Sequence, residues 1–135
     1  MENFTIKNLF ELEDFAPKFG LGDAQEARFA TKHLGAEQTG LAFIRIKPGQ
    51  RPSLAHRHGS QEELYVVVSG SGRAKLDDDV REFAQWDVIR VAPQVTRAFE
   101  AGPGGAEILA FGVPAVSGGK NDAEMVQDFW PESDA

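Results

Sequence analysis

The sequence predicts an all-β domain, either a sandwich or a small barrel, and three observations support this fold class. The 135 residues suit one domain with a single core. Fourteen glycines and seven prolines indicate frequent turns, which favours strands over a helical bundle. Between the turn signals lie short apolar stretches of strand length, a spacing typical of compact all-β folds.

The first twenty residues carry scattered apolar side chains without a clear strand pattern. Leu9, Leu12 and Phe15 fit one face of a short helix, and part of the same segment fits equally well an arm that packs on the barrel. Residues 35–40 have the composition of a turn. The stretch 41–47 then alternates, which predicts a strand with its alternate apolar residues on one face.

The later strands are predicted from apolar runs that end at glycine, proline or aspartate. A glycine turn should end the strand that starts at Glu63, and the aspartate run 77–79 should form the tip of a hairpin. Residues 114–135 are predicted to be a tail whose Phe129 and Trp130 cover apolar surface. The predicted strands are 26–30, 41–47, 63–72, 86–93, 96–105 and 106–114, with a hairpin over 73–83.

Composition limits the kinds of partner and the cellular location that we expect for this protein. The formal net charge of −7 disfavours phosphate backbones and anionic lipids, so we expect no nucleic-acid partner and no membrane partner. The absence of cysteine excludes disulfides, thiolate metal sites and a thiol nucleophile. The first residues do not resemble a signal peptide, and no apolar run has the length of a bilayer span. We therefore expect a cytoplasmic protein.

The stretch 55–70, AHRHGSQEELYVVVSG, contains the residue types of a metal site. Residues two apart in an extended strand point the same way, so His56 and His58 should share a face. A turn must follow before the carboxylate, and the Gly-Ser pair after the histidines can supply it. Glu63 has the same strand parity as Tyr65, whereas the preceding glutamate does not, so we prefer Glu63 as the third ligand.

Two histidines and one carboxylate leave coordination positions open for water, oxygen or substrate. Such a set suits a catalytic Fe(II), Mn or Zn ion better than a closed structural site. We include Ni among the candidate divalent metals. The alternative from these residues alone is a chance His-X-His pair on a solvated loop, with Glu63 as a surface charge.

This stretch is similar to the first signature of the cupin superfamily. The resemblance extends from about Thr39 to Val113, and the only departure within the signature is a gap before the first histidine that is one residue longer than usual. It implies a double-stranded β-helix, a jelly-roll-like barrel, with the ligands at its mouth. It also implies one domain over 1–135, with a barrel core at about 39–113, an N-terminal arm over 1–38 and a C-terminal tail over 114–135. The matching residues are Gly49, His56, His58, Glu63 and Gly70.

The second cupin signature, which would supply a further histidine ligand, is degenerate. Aligned on this sequence, its histidine position is occupied by Arg97, and every other keyed position differs as well. The chain has only three histidines, and the third, His33, is best explained as a surface or packing residue. The residues at the keyed positions are Trp86, Ala92, Gln94, Arg97 and Ala101.

Arg97 therefore decides the chemistry of the predicted site. A guanidinium stays protonated at any working pH, and at ~6 Å it would repel a divalent ion by roughly 5 kcal/mol at an effective dielectric near 20. Either Arg97 turns from the ion and binds an anionic group of a ligand, or it replaces the ion and pairs with Glu63. A third reading is that the register slips and Arg97 faces solvent.

Tyr65 and Phe99 complete the predicted site. Tyr65 shares the face of Glu63 and could donate a hydrogen bond or act as a general acid, so Arg97 and Tyr65 are the candidate catalytic residues. Trp86 and Phe99 could line a ligand pocket beside them. The simpler interpretation is that these aromatic rings belong to the core, with the tyrosine hydroxyl satisfied.

Three hypotheses follow for function. In the first, a divalent metal on His56, His58 and Glu63 acts with Arg97 on a small anionic molecule; such an enzyme would be a metal-dependent isomerase, dioxygenase or lyase on a small carboxylate or sugar-like substrate. In the second, a metal-free binding or sensor barrel holds an internal Arg97–Glu63 ion pair. In the third, the protein is structural and its sheets pair into a homodimer, although catalytic cupins also dimerise.

Overall fold

A computed structural model describes residues 3–115 and 122–135. Within these ranges almost all regular structure is β-strand, as the composition predicts. None of the described helices is long and apolar enough to cross a membrane. The elements are two 3-10 turns at Leu9–Glu11 and Ala16–Phe19, strand β1 at Gln25–Phe29, helix α1 at Thr31–Leu34, and strands β2 at Gly40–Ile46, β3 at His56–His58, β4 at Glu62–Leu76, β5 at Asp79–Ala84, β6 at Val88–Val91, β7 at Arg97–Val113 and β8 at Ala123–Met125.

All the described strands join one sheet, which curls on itself. The path is β1-β2-β7-β3-β8, and β4 pairs with β5, β6 and β7. The two longest strands, β4 and β7, run antiparallel along their whole length, from Glu62 opposite Val113 to Leu76 opposite Arg97. His56 on β3 also pairs with Arg97 on β7. Residues at opposite ends of the β4–β7 ladder can therefore meet only because the sheet bends into a barrel-like shape.

The predicted glycine turn after Val68 is wrong, because β4 continues without a turn to Leu76. The glycines instead form bulges where two backbones approach closely, and the register with β7 shifts there. Gly70 has φ +81°, and a Cβ atom on it would lie 2.0 Å from the Gly105 carbonyl oxygen. A Cβ on Gly72 would lie 2.0 Å from the Glu100 oxygen. Only glycine fits at these crossings.

Three further boundaries differ from the sequence prediction. The Gly-Pro-Gly-Gly stretch at 102–105 is not a loose end but lies inside β7, which joins the two strands predicted over 96–114. Asp79 begins β5, so the hairpin tip consists of Asp77 and Asp78 alone. The predicted tail contains β8, which pairs with β3. Strand structure therefore extends beyond the boundaries that the residue types predict.

The core lies on the concave side of the sheet and includes Ile46, with Ala42 and Ile44 packed against it, as the alternation in β2 predicts. The opposite face of β2 is also covered, because the N-terminal segment packs as an arm. There the ring of Phe10 stands edge-on to the ring of Phe43 at 5.3 Å between centroids. The arm contains two short 3-10 helices, at Leu9–Glu11 and Ala16–Phe19, and not one short helix that includes Leu9, Leu12 and Phe15.

The C-terminal tail covers a second, smaller apolar cluster. Trp130 is buried against Ala55 and Ala98, with Phe129 packed beside them, which confirms the predicted covering role of both aromatic residues. The Arg51 guanidinium lies 4.1 Å from the centre of the Trp130 ring, and this cation–π contact helps to hold the tail against the sheet.

A ladder of polar side chains crosses four neighbouring strands, β1, β2, β7 and β4. We call it the charged ladder; it consists of Glu26, Arg45, Glu107 and Ser69, each of which is the register partner of the next. Arg45 donates to Glu26 at 2.8 Å and to Glu107 at 3.0 and 2.8 Å, and the Ser69 hydroxyl donates to Glu107 at 2.5 Å. The charged groups are about one quarter to one third exposed, so the ladder ties the sheet together at its surface.

Candidate metal centre

The two histidines that the sequence singles out lie on β3, and the carboxylate lies at the start of β4. His56 and His58 present their rings on the same side of the strand, with centroids 5.0 Å apart and planes at 87°. The chain then reverses at Gly59 and Ser60, as the turn prediction requires, and Glu63 faces the histidines. The neighbouring Glu62 points outward and contacts Arg90 at 3.3 Å.

The three side chains converge on one small volume. The Nε2 atom of His56 lies 3.3 Å from Glu63 Oε1, and that of His58 lies 3.0 Å from the same oxygen. One candidate ligand atom from each of the three residues lies within 4.8 Å of the other two. Metal–ligand bonds of about 2.0–2.2 Å place neighbouring ligands roughly 3 Å apart, so this donor set fits a divalent cation.

The other ring nitrogen of each histidine faces a hydrogen-bond acceptor. His56 Nδ1 lies 3.4 Å from the Leu54 carbonyl oxygen, and His58 Nδ1 lies 2.7 Å from Asp122 Oδ1. An acceptor at Nδ1 favours the tautomer that carries its proton there. With Nδ1 satisfied in this way, Nε2 is the nitrogen of each ring that would bind a cation beside Glu63.

Electrostatics hold Glu63 ionised and Tyr65 protonated. Burial would raise the pKa of Glu63, but hydrogen bonds with His56, His58 and Tyr65 outweigh it and place the pKa well below its usual range. Burial raises the pKa of Tyr65, and the adjacent carboxylate raises it further. The Tyr65 hydroxyl therefore keeps its proton and donates to Glu63 Oε1 at 2.5 Å.

Arg97 lies in the same cluster and does not face solvent, which rules out the slipped register. Its side chain is 0% exposed, and Nη1 lies 3.8 Å from Glu63 Oε1, beyond hydrogen-bond distance. Nη2 donates to the Ala92 carbonyl at 3.1 Å, whereas Nε and Nη1 have no hydrogen-bond partner among the described residues. We call His56, His58, Glu63, Tyr65 and Arg97 the inner cluster.

Phe99 takes a core position next to this cluster. Its ring lies 4.8 Å from that of Tyr65 and 6.2 Å from that of Phe83, measured between centroids. The Phe99 ring therefore packs against the Tyr65 ring. A direct contact between Phe99 and a ligand stays a prediction. Trp86 lies elsewhere, on a surface groove of about 530 Å³ that β4, β5 and β6 line together.

Sequence reasoning missed one residue of the site, Asp122. It lies just before β8, in the segment predicted to be only a tail, and its carboxylate contacts His58. No local pattern marks it, because an aspartate after a glycine-rich stretch is an ordinary loop residue. His33, in contrast, is exposed on α1 and is not part of the cluster.

Comparison with solved structures identifies the fold. The chain is 20% identical to a cupin protein from Bacteroides fragilis, covering 87% of this chain and 89% of that one at a TM-score of 0.68. A variant of Bacillus subtilis oxalate decarboxylase matches at 20% identity and a TM-score of 0.73, over 90% of this chain and 33% of the enzyme chain. This chain therefore spans about a third of the decarboxylase.

A sugar phosphate isomerase of the cupin superfamily from Silicibacter pomeroyi matches at 22% identity and a TM-score of 0.60. The match covers 69% of this chain and 61% of the isomerase. No protein-family model matches the sequence, and no curated protein matches it. The chain therefore has the fold of these cupin structures, and its curled sheet holds a His-His-Glu group.

Proposed function

We propose that this cupin binds a divalent metal, Fe, Mn, Ni or Zn, on His56, His58 and Glu63. The observation that carries the proposal is the convergence of both Nε2 atoms on one carboxylate oxygen, with an acceptor behind each ring. Chance pairs of surface histidines have no reason to share both features. His58 is also buried, which a solvated loop residue would not be.

We further propose that Arg97 makes the site selective for a small anionic molecule. A buried N–H without a partner costs about 1–3 kcal/mol, so its two free donors favour a ligand that supplies acceptors. A divalent cation would add two positive charges to a cluster with one carboxylate and one guanidinium, which favours an anion again. Two of the structural neighbours are named for anionic substrates, oxalate and a sugar phosphate.

If the protein is an enzyme, residues of this chain would bind, orient and protonate the substrate. A bound divalent cation supplies Lewis-acid polarisation of an oxygen-containing ligand. Arg97 would bind the anionic group through its free Nε and Nη1 donors. Tyr65 holds a proton at its hydroxyl within 2.5 Å of Glu63, in position for general acid catalysis. The reaction would be an isomerisation, an oxygenation or a lyase step.

The second candidate is a metal-free binding barrel, and one observation favours it. Glu63 Oε1 already has four positively polarised neighbours, the two imidazoles, the Tyr65 hydroxyl and Arg97. In that case Arg97 and Glu63 form an internal ion pair, and the pocket recognises its ligand without a cation.

Metal analysis separates the two candidates. Protein stripped with a chelator is titrated with Zn²⁺, Mn²⁺, Ni²⁺ or anaerobic Fe²⁺, and we expect one ion per chain. His56→Ala and Glu63→Gln should weaken binding by more than about 100-fold, because loss of a ligand exceeds the 10- to 100-fold effect of losing an outer partner.

Matched controls use the same residue types outside the cluster. His33→Ala removes an exposed histidine, and Glu107→Gln removes a carboxylate of the charged ladder. Both should bind metal as the parent does. Absence of uptake by the folded parent protein, or equal losses in the variants and their controls, would leave the metal-free candidate.

A further inference from the structure

Asp122 lies far from the inner cluster in sequence but next to it in space. The pairing of β8 with β3 sets Ala123 opposite His58 and Met125 opposite His56. Asp122 directly precedes β8, and its carbonyl oxygen accepts from the Gly59 N–H at 3.2 Å. The C-terminal segment therefore places the Asp122 carboxylate next to the Nδ1 atom of His58.

Each oxygen of this carboxylate has a separate task. Oδ1 lies 2.7 Å from His58 Nδ1. Oδ2 accepts from the Ser60 N–H at 2.8 Å, the Gln61 N–H at 3.0 Å and the Ser60 hydroxyl at 3.1 Å. One side chain thus binds both the ring of a candidate ligand and the turn that leads from that ring to Glu63.

We propose that Asp122 is a positioning residue of the metal centre. It keeps the His58 proton on Nδ1, so that Nε2 is free for the cation, and it fixes the turn that sets the spacing between His58 and Glu63. The inference rests on the proposed function, since it assigns the orientation of one ligand of that centre to a residue outside it.

The two histidines should then behave differently. His58 Nδ1 faces a carboxylate oxygen at 2.7 Å, whereas His56 Nδ1 faces the Leu54 carbonyl oxygen at 3.4 Å. A charged acceptor at short distance makes a stronger hydrogen bond and a more basic opposite nitrogen than a neutral, distant one. His58 is accordingly the ligand whose geometry and donor strength depend on a single remote side chain.

The first test is metal affinity in Asp122→Asn, with Glu124→Gln as the control. Glu124 lies on β8, two residues after Asp122, and contacts only Arg57 at the surface in the described contacts. We expect Zn²⁺ binding to fall by about 10- to 100-fold in Asp122→Asn. Glu124→Gln should stay within about twofold of the parent, because exposed pairs contribute little. Parental affinity in a folded Asp122→Asn protein would overturn the proposal.

The second test needs no metal. Two-bond ¹H–¹⁵N spectra of the metal-free parent, at alkaline pH where the imidazoles are neutral, report which nitrogen of His58 is protonated. We expect Nδ1–H in the parent and a shift toward Nε2–H in Asp122→Asn. Protonation at Nε2 in the parent would refute the role of Asp122. Failure of the parent to bind any metal would instead refute the proposed function, and the tautomer would still decide the inference.

Discussion

The inner cluster and the charged ladder both contain arginine and glutamate, but the two groups pair these side chains differently. In the ladder, Arg45 donates to two carboxylates at 2.8–3.0 Å. In the inner cluster, Arg97 Nη1 lies 3.8 Å from Glu63 Oε1. The Nε and Nη1 atoms of Arg97 lack hydrogen-bond partners in the described part of the chain. The ladder is partly exposed, whereas Arg97 is fully buried, where an unsatisfied donor is most costly.

The difference teaches how to tell a structural charge network from a binding site. The ladder connects register partners on adjacent strands, and each of its charged groups is hydrogen-bonded to a neighbour in the ladder. The inner cluster joins residues from different ends of the sheet and leaves donors free in a buried place. Burial with incomplete pairing is the arrangement expected of a site that awaits a cation, an anion or both.

The largest difference should appear in anion binding. Arg97→Leu removes the free donors of the inner cluster and should weaken acetate binding to the metal-loaded protein by about 2 kcal/mol or more, roughly 30-fold. Arg45→Leu, the matched change in the ladder, should leave it unchanged. Calorimetric titration measures both, with metal content checked in parallel. Equal affinities in the two variants would show that Arg97 does not bind the anion.

A second pair of variants compares two hydroxyl-to-carboxylate bonds of the same 2.5 Å length. Tyr65→Phe removes the bond to buried Glu63 and should lower the free energy of unfolding by about 1.5–3 kcal/mol, as for hydrogen bonds to charged groups. Ser69→Ala removes the bond to partly exposed Glu107 and should cost less than about 1 kcal/mol, because water replaces the hydroxyl. Urea unfolding at neutral pH measures both. A larger loss in Ser69→Ala would reverse the comparison.

The smallest effect concerns the ladder and its dependence on pH. Burial would raise the pKa of Glu26, but hydrogen bonds with Arg45 and Arg28 outweigh it and lower the pKa below its ordinary 4.5. Hydrogen bonds from Ser69 and Arg45 lower that of Glu107. Lowered values mean that the folded state binds protons less readily than the unfolded one, so this stabilisation is complete above pH 4.5 and is lost as the pH falls.

Arg45→Gln tests that sign. At pH 7 the variant should be less stable than the parent by up to about 1 kcal/mol, since the ladder is exposed to solvent. The difference should shrink on acidification as the carboxylates take up protons, and also with added salt. Urea unfolding of both proteins across the pH range gives the difference directly. A gap that widens in acid would contradict the assignment.

The sequence predicts the fold class and the three candidate metal ligands for identifiable reasons. Glycine and proline content indicates strands and turns, and the His-X-His pair before an alternating strand places two rings and one carboxylate on a common face. The parity argument selects Glu63 over Glu62, and the structure has Glu63 at the cluster and Glu62 at the surface. These features are local, since they depend on residues fewer than ten positions apart.

The errors have a common physical cause. The glycine-containing stretches 70–72 and 102–105 look like turns in sequence, yet β4 and β7 pair on both sides of them with a register shift between, and long-range strand pairing overrides local turn preference. Asp122 was missed because its role depends on β8 pairing with β3, more than sixty residues earlier.

By itself, the sequence determined the class of fold, the strand periodicity and the identity of the three candidate ligands, because backbone preferences and side-chain parity act over short distances. Only the tertiary structure decided that Arg97 lies buried beside Glu63 and that Asp122 stands behind His58. The curl of the sheet sets both contacts, and that curl results from the packing and pairing of the whole chain, which no short segment encodes.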